Sequence, residues 1–311
     1  MEKHDKIFVA GHKGLVGSAI LRELHNQGYT NILTVDKSIV DLSYAYDTDI
    51  WFQKNKPDYV FLAAAKVGGI HANDIYPVDF LDQNLKIQGN VINAAHKHNV
   101  KKLMFLGSVC IYPKYAETPV KEESLLTGQL EPTNQWYAIA KIAGIKLCQA
   151  YRKQYGSNFI SVMPCNLYGI NDNFHPTNSH VLPALIRKFH EAKANNLNEV
   201  VCWGDGSPRR EFMDADDVAN ACLFLMKNYN SSEPINIAYG QDYSIKEIVE
   251  MIVEIVGFKG NIIWDTSKPN GTPKRLLDNS KLTNMGWKPQ ISLKEGIKKA
   301  YNWFDKVYTK Q

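Results

Sequence analysis

The 311-residue chain is long enough for one large domain or two smaller ones with an ample apolar core. Its 44% hydrophobic content, 22% charged content and net charge of +4 are typical of an ordinary soluble protein. This weak, dispersed charge suits anionic small ligands and argues against nucleic acid as a partner. No apolar run approaches the roughly 18 residues of a membrane span, and the charged N-terminus argues against a signal peptide.

The cysteines are odd in number, widely spaced and without a C-x-x-C pair: they are Cys110, Cys148, Cys165, Cys202 and Cys222. This pattern indicates reduced thiols in the cytoplasm, with neither disulfides nor a metal site. We expect the last four to be small apolar core residues.

Short apolar strands alternate with amphipathic helices through the first half of the chain. We expect strands over residues 6–10, 32–35, 59–62, 102–106 and 159–163, and helices over residues 15–27, 48–54, 80–98 and 135–155. This order predicts a Rossmann-like α/β fold, a doubly wound parallel sheet covered by helices on both faces. Ligands bind such sheets at the carboxyl ends of the strands, where Ser108, Cys110 and Asn166 fall.

Loops become more frequent beyond residue 166. We expect helices over residues 181–194, 244–256 and 293–306, a strand over 235–237, a turn at 203–206 and a loop over 268–273. The predicted domains are a dinucleotide-binding domain over residues 1–165, with a returning segment near 212–240, and a smaller mixed α/β substrate domain over residues 166–211 and 241–311.

A glycine turn, Gly11-His12-Lys13-Gly14-Leu15-Val16-Gly17, connects the first strand to the first helix. Glycines let the backbone approach a pyrophosphate, and the helix N-terminus supplies N–H groups and a favourable dipole. Asp36, after the second strand, is placed to bind a ribose 2′-hydroxyl and favours NAD. Lys13 and Lys37 could instead neutralise the 2′-phosphate of NADP, so the residues leave both cofactors open.

Tyr137 and Lys141 lie one helical turn apart, and Ser108 follows an apolar strand. Together they are suited to proton transfer at an oxygen on a carbon that exchanges hydride. Lowering a tyrosine pKa by about three units requires roughly 4 kcal/mol, for which Lys141 and an oxidised nicotinamide are the expected sources. Cys110, two residues after Ser108, is not needed for hydride transfer and indicates proton transfer at carbon as well.

These stretches resemble the GDP-L-fucose synthase family of extended short-chain dehydrogenase/reductases over essentially the whole chain. The most specific matches are Ala63-Ala64-Ala65-Lys66-Val67-Gly68-Gly69-Ile70, Gly107-Ser108-Val109-Cys110-Ile111-Tyr112-Pro113, the stretch from Tyr137 to Cys148, and Asp172-Asn173-Phe174-His175-Pro176. The resemblance implies a two-domain homodimer that uses NADP(H) to convert GDP-4-keto-6-deoxy-D-mannose to GDP-L-fucose, by epimerising C3 and C5 and reducing C4.

The resemblance also implies roles for individual residues. Ser108, Tyr137 and Lys141 would serve the reduction, while Cys110 takes a proton from carbon and His180 returns one on the opposite face of the sugar. The implied cofactor-binding residues are Gly11, His12, Lys13, Gly14, Leu15, Val16, Gly17, Asp36, Asp41, Leu42, Ala64, Leu106, Gly107, Lys141, Pro164, Asn166, Leu167 and His180. The implied substrate-binding residues are Lys188, Trp203, Arg210, Asn270 and Arg275.

Two departures keep alternatives open. The family usually has arginine where this chain has Lys13, and Asp36 is atypical of a strong NADP site, so NAD(H) remains an alternative cofactor. Relatives that act on GDP-colitose precursors or GDP-heptoses share much of the pattern. A non-catalytic dinucleotide-binding regulator is the rival class, and an epimerase that retains its NAD is the nearer enzyme rival.

Overall fold

A computed structural model describes residues 1–176, 178–268, 270 and 273–308, with only the backbone described at Ile70 and His71. In these residues the strands are β1 (Ile7–Ala10), β2 (Ile32–Leu33), β3 (Tyr59–Leu62), β4 (Lys102–Leu106), β5 (Phe159–Pro164), β6 (Asn166–Tyr168), β7 (Glu199–Trp203), β8 (Arg209–Asp214), β9 (Ile235–Ile237), β10 (Asp242–Ser244), β11 (Asn261–Asp265) and β12 (Lys274–Arg275).

The α-helices of the same residues are α1 (Leu15–Asn26), α2 (Ala45–Asn55), α3 (Ile70–Ile75), α4 (Asn84–Lys97), α5 (Gln135–Tyr155), α6 (Val181–Ala194), α7 (Ala215–Asn228), α8 (Ile245–Val256), α9 (Ser280–Asn284) and α10 (Leu293–Tyr308). A π-helical turn, Asp79–Gln83, leads into α4. No helix in this part of the chain is long and apolar enough to cross a membrane.

The described strands form a parallel six-stranded sheet in the order β2-β1-β3-β4-β5-β9. All residues of β1, β4 and β5 are buried, as expected for central strands covered on both faces. This confirms the predicted doubly wound fold. The second strand is shorter than predicted: it ends at Leu33, so Asp36 lies in the loop that follows and not at the strand end.

A second group of strands lies outside the large sheet. β8 pairs with β6 and β12 in parallel and with β10 in antiparallel register, and β7 pairs in parallel with β11. The side chains of β7 alternate between exposed and buried, as expected for a strand with one solvated face. The loop predicted over residues 268–273 lies partly outside the described residues.

The buried apolar side chains form two clusters. The sheet core surrounds β1, β3, β4, β5 and β9, and the second core lies among α6, α8 and α10. Three apolar residues near the C-terminus, Leu277, Leu282 and Trp287, pack into the sheet core and not into the second core. The chain therefore returns to the sheet after residue 241, a crossing that the sequence pattern did not reveal.

The packing of α5 on β4 depends on a glycine. A Cβ atom at Gly144 would lie 2.4 Å from Cζ of Phe105 and 2.8 Å from Cε1, whereas one at Gly89 in α4 would meet nothing within 4 Å. The two glycines therefore form a matched pair, one in close contact and one with free space beside it.

We expect Gly144→Ala to lower the free energy of unfolding by about 1–3 kcal/mol, because the added methyl overpacks the α5–β4 contact. Gly89→Ala should raise it by about 0.5–1 kcal/mol through helix propensity. Urea unfolding followed by circular dichroism measures both changes. Equal effects of the two substitutions would contradict the packing described here.

Candidate active site

The glycine turn brings the backbone unusually close to itself. Gly11 has φ of +85°, and a Cβ atom at Gly17 would lie only 2.1 Å from the Gly11 carbonyl oxygen. Gly14 precedes α1 and provides no side chain to cap its first N–H groups. The N-terminus of α1 therefore offers free backbone donors and a favourable dipole to an anion.

Lys13 and Asp36 form an ion pair beside this turn. The distance from Nζ of Lys13 to Oδ1 of Asp36 is 2.6 Å, and Nε2 of His12 lies 3.4 Å from the same oxygen. The hydrogen bond from Lys13 lowers the pKa of Asp36. Lys37 is exposed and lies 3.4 Å from Asp41, so it is the more solvated of the two lysines.

Ser108 and Cys110 are held by a 3₁₀ turn, Val109–Ile111, just beyond the end of β4. The Ser108 hydroxyl accepts a hydrogen bond from the backbone N–H of Cys110 at 3.5 Å. Cys110 is partly exposed to solvent, whereas the other four cysteines are buried and free, as predicted.

Tyr137 and Lys141 project from α5 toward this turn. Lys141 is buried, and its Nζ donates to the Leu106 carbonyl at 2.8 Å and lies 5.7 Å from the centroid of the Tyr137 ring. Ser108 and Tyr137 line the same small pocket. Ser108, Tyr137 and Lys141 therefore lie together, as the resemblance implies for a reductase.

Lys141 does not lower the pKa of Tyr137 in the chain by itself, and the predicted lowering by Lys141 together with an oxidised nicotinamide stays a prediction. Burial raises the pKa of Tyr137 above its ordinary value, and only Ser108 acts in the opposite direction. Burial also lowers the pKa of Lys141, to about 8. Desolvation dominates both shifts, and the lysine donates to a backbone carbonyl and not to the phenol.

The pKa values of Cys110 and His180 are also shifted in the directions that favour the neutral thiol and the neutral imidazole. Burial raises the pKa of Cys110 to about 11, and the positive charges of Lys141 and Arg275 offset part of this rise. Burial in the cleft lowers the pKa of His180. At neutral pH the resting site therefore holds a protonated thiol and a neutral imidazole.

His180 reaches the site from a different part of the chain. It precedes α6, and the preceding loop is tied to the residues before α3 by a 3.1 Å hydrogen bond from the Gly69 N–H to the Asn178 carbonyl. A small pocket of about 80 Å³ lies where these segments meet Ser108 and Tyr137; its lining is Val67, Gly68, Asn73, Ser108, Tyr137 and His180. The structure thus brings the predicted epimerisation histidine beside the predicted reduction residues.

Two arginines lie side by side where β8 and β12 border the site. Arg210 in β8 and Arg275 in β12 are paired positions on adjacent strands. Their hydrogen bonds go to backbone carbonyls, from Arg210 to Arg209 and from Arg275 to Pro113, and no described carboxylate forms an ion pair with either one. Burial and the charge of Arg275 lower the pKa of Arg210. Two neighbouring cations without a countercharge are well suited to a polyanion.

One cleft of about 2450 Å³ contains the whole arrangement. Every catalytic, cofactor-binding and substrate-binding residue predicted from the sequence lines this cleft, including Lys188, Trp203 and Asn270. Trp203 is 71% exposed, and Asn270 accepts a hydrogen bond from the Asp205 N–H at 3.0 Å. Among the described residues, no group of three or more His, Cys, Asp or Glu side chains is arranged to hold a metal ion.

Sequence reasoning missed several polar residues of the cleft. Four side chains have a buried oxygen without a hydrogen-bond partner in the described part of the chain: Asn73, Asn134, Asp172 and Ser179. Burial also raises the pKa of Asp172 to about 7. Only Asp172 fell within a recognised motif, and the spacing of the others carries no signal because segments far apart in the chain come together in the fold.

A model of the NAD dependent epimerase/dehydratase family matches residues 7–238, and the chain belongs to this family. Putative GDP-L-fucose synthase 2 of Arabidopsis thaliana is 61% identical over 304 residues, which cover 98% of this chain and 93% of that protein. GDP-L-fucose synthase of Escherichia coli (strain K12) is 49% identical over 308 residues, covering 96% of each. The predicted resemblance to the GDP-L-fucose synthase group is therefore confirmed.

A solved structure gives the same result for the fold. A GDP-L-fucose synthetase from Naegleria fowleri, bound to NADP, has a TM-score of 0.93 and 30% sequence identity to this chain. The similarity covers 99% of this chain and 96% of that one.

The raised pKa of Cys110 predicts slow alkylation at neutral pH. Because only the thiolate reacts, the iodoacetamide labelling rate should rise about tenfold per pH unit from pH 7 to pH 10 and level off near the pKa. Mass spectrometry of the labelled peptide measures this rate, and Cys110→Ser should remove the label. Fast labelling already at pH 7 would show that the thiol is ionised and that burial does not dominate its pKa.

Proposed function

We propose that the protein converts GDP-4-keto-6-deoxy-D-mannose to GDP-L-fucose by epimerisation at C3 and C5 and reduction at C4 with NADPH. The observation that carries this proposal is the meeting of Ser108, Tyr137 and His180 around one small pocket, with Cys110 in the adjoining cleft. A reductase alone needs only a serine, a tyrosine and a lysine. The thiol and the imidazole supply the additional acid–base pair that epimerisation requires.

The glycine turn fits a dinucleotide. Side chains at Gly11 and Gly17 would fill the space through which the backbone approaches a pyrophosphate, and α1 presents uncapped N–H groups. The residues that would hold NADPH are those predicted from the sequence, with Lys13 and Asp36 at the 2′ position of the ribose. When bound, the cofactor supplies the hydride for C4.

Tyr137 and Ser108 act on the C4 oxygen. The raised pKa of Tyr137 keeps the phenol protonated, so Tyr137 is ready to give its proton to the oxygen as the ketone becomes an alcohol. Ser108 donates a hydrogen bond to the same oxygen. Lys141, fixed on the Leu106 carbonyl, keeps a positive charge close to the phenolate that remains.

Epimerisation uses the same oxyanion site. The ketone acidifies the hydrogens at C3 and C5, and loss of either proton leaves an enolate whose oxygen is stabilised by Ser108 and Tyr137. Cys110 takes the proton from carbon and His180 returns one from the opposite face. In this step Cys110 acts as the thiolate and His180 as the imidazolium, a pair that holds the same number of protons as the neutral thiol and imidazole of the resting site. Lys141 and Arg275 favour the thiolate.

The part of the cleft that contains Arg210 and Arg275 is suited to the nucleotide. Arg210 and Arg275 bind the diphosphate together with Lys188, and the exposed indole of Trp203 offers a face on which guanine stacks. Asn270, which lines the same cleft as Trp203, offers the nucleotide a side chain for hydrogen bonding.

The same proposal includes the organisation of the chain. Residues 1–165 with 212–240 form the cofactor domain, and residues 166–211 and 241–311 form the substrate domain on the second core, apart from the stretch around Leu277, Leu282 and Trp287 that packs into the sheet core. The chain works as a homodimer in the cytoplasm, as the resemblance implies. Five free cysteines are consistent with a reducing compartment. Sedimentation of the purified protein tests the oligomeric state.

We expect stoichiometric NADPH oxidation with GDP-4-keto-6-deoxy-D-mannose, and deuterium incorporation at C3 and C5 in deuterated water. Cys110→Ser should lose this exchange, and Tyr137→Phe should lower reduction by about 10²–10⁴-fold. Absorbance at the NADPH band and NMR of the product measure both results.

Each rival function predicts a different result in this assay. Reduction without exchange at either carbon would indicate a simple 4-reductase in which Cys110 takes no part. Conversion of the sugar with no net NADPH oxidation would indicate an epimerase that retains its cofactor. No reaction with this sugar would favour a GDP-colitose or GDP-heptose pathway substrate, and no reaction with any keto sugar would favour a regulator.

The Lys13–Asp36 pair should set cofactor preference. Lys13→Ala should weaken NADPH binding about tenfold and NADH binding little, because only NADPH carries the 2′-phosphate. Asp36→Asn should strengthen NADPH binding relative to NADH by removing a negative charge. Fluorescence titration with each dinucleotide gives both ratios, and unchanged ratios in both variants would place the 2′ position elsewhere.

A further inference from the structure

Asn73 holds a buried hydrogen-bond acceptor without a protein partner. Its side chain is 5% exposed, and its amide nitrogen donates to the carbonyls of Gly68 (2.8 Å) and Gly69 (3.0 Å). These two bonds fix which end of the amide is nitrogen. The other end, Oδ1, is buried and makes no hydrogen bond with any described residue. Because such groups are costly to leave unpaired, a bound molecule is the expected partner.

The surroundings of Asn73 indicate where this partner lies. Asn73 lines both the large cleft and the small pocket that Ser108, Tyr137 and His180 also line. The small pocket has a volume of about 80 Å³, about one thirtieth of the 2450 Å³ cleft, so its size suits a single projecting substituent. A substituent that projects from the ring is therefore the natural occupant.

Further unpaired polar atoms lie in the same cleft on the chain segment that carries His180. Oδ2 of Asp172 and Oγ of Ser179 are buried and have no partner among the described residues. The segment is docked closely on the residues before Asn73: a Cβ atom at Gly69 would lie 2.7 Å from the Ser179 carbonyl oxygen. Two joined segments with unsatisfied polar atoms are typical of a site built for a hydroxylated ligand.

We infer that Asn73 is a substrate-binding residue whose Oδ1 accepts a hydrogen bond from the C3 hydroxyl of the keto sugar. This inference rests on the proposed function, in which the C4 oxygen lies at Ser108 and Tyr137. The small pocket adjoins these two residues, so it reaches only the carbons next to C4. C5 carries the C6 methyl, which has no hydrogen to donate, and C3 carries a hydroxyl.

This contact makes the site selective for sugars that are hydroxylated at C3. The amide N–H groups are already used, so Asn73 can only accept, and a 3-deoxy sugar would leave Oδ1 buried and unpaired. Sites built to bind a hydroxyl reject analogues that lack it for this reason.

Two substrates and two variants separate binding from structural support. We would measure kcat/KM for NADPH oxidation with the parent sugar nucleotide and with its 3-deoxy counterpart, since both carry the ketone at C4. The wild-type protein should prefer the parent by about tenfold. In Asn73→Ala, kcat/KM should fall about tenfold with the parent sugar and change little with the 3-deoxy sugar. The ratio of the two kcat/KM values should therefore fall to near one.

Asn84 provides the matched control. It is 2% exposed and fully paired: its Oδ1 accepts from the Lys66 N–H at 2.9 Å, and its nitrogen donates to the carbonyls of Lys66 (3.0 Å) and Phe80 (2.7 Å). Asn84→Ala should reduce activity on both sugars by the same factor and keep the preference of the wild type.

The outcomes distinguish the two proposals. Equal losses on both sugars in Asn73→Ala would make Asn73 a structural residue and overturn the inference, while the proposed function would stand. A wild-type protein that reduces neither sugar would overturn both. Thermal melting checks folding, and if Asn73→Ala does not fold, Asn73→Ser, whose shorter side chain withdraws the acceptor from the pocket, decides between the same outcomes.

Discussion

The site depends on one buried contact, the hydrogen bond from the Lys141 ammonium to the Leu106 carbonyl at the end of β4. A lysine is costly to bury, so the bond that satisfies it strongly favours one position of α5 relative to the sheet. Tyr137 lies one turn away on the same helix, and Ser108 lies two residues beyond Leu106. The bond therefore places the phenol beside the serine, and the close contact at Gly144 permits the approach.

Burial governs the charges in the cleft. It raises the pKa values of Tyr137 and Cys110 and lowers those of His180 and Lys141, so each group moves toward its neutral form. Arg210 and Arg275 form no ion pair with a described carboxylate, and the charge of Arg275 also acts on Cys110. An anionic ligand thus finds its countercharge on β8 and β12, and the chemical groups remain in a site of low dielectric, where a developing oxyanion interacts strongly with its donors.

The sequence predicted the regular elements well where periodicity is strong. The bounds of α6 and α8 agree with prediction to within one residue, and both helices carry clear amphipathic patterns. The sequence offered no guide to properties that depend on the three-dimensional surroundings of a residue. The pKa of Tyr137 depends on desolvation, which no spacing reveals, and the unpaired oxygen of Asn73 arises only where α3 meets the distant segment before α6. The loop position of Asp36 reflects an edge strand of only two residues, whose end has few pairing partners to fix it.

The Ser108 hydroxyl connects the proposed reduction with the proposed epimerisation. The Ser108 hydroxyl accepts from the Cys110 N–H, which holds the turn that carries the thiol, and Ser108 also lines the small pocket together with Tyr137. The group that would orient the carbonyl for reduction therefore also positions the group that would remove a proton for epimerisation. A shift of Ser108 would therefore displace both the oxyanion site and the Cys110 thiol, which keeps the groups for the two proposed reactions in fixed geometry. His180 is carried by the separate segment before α6, from which it would act on the opposite face of the sugar.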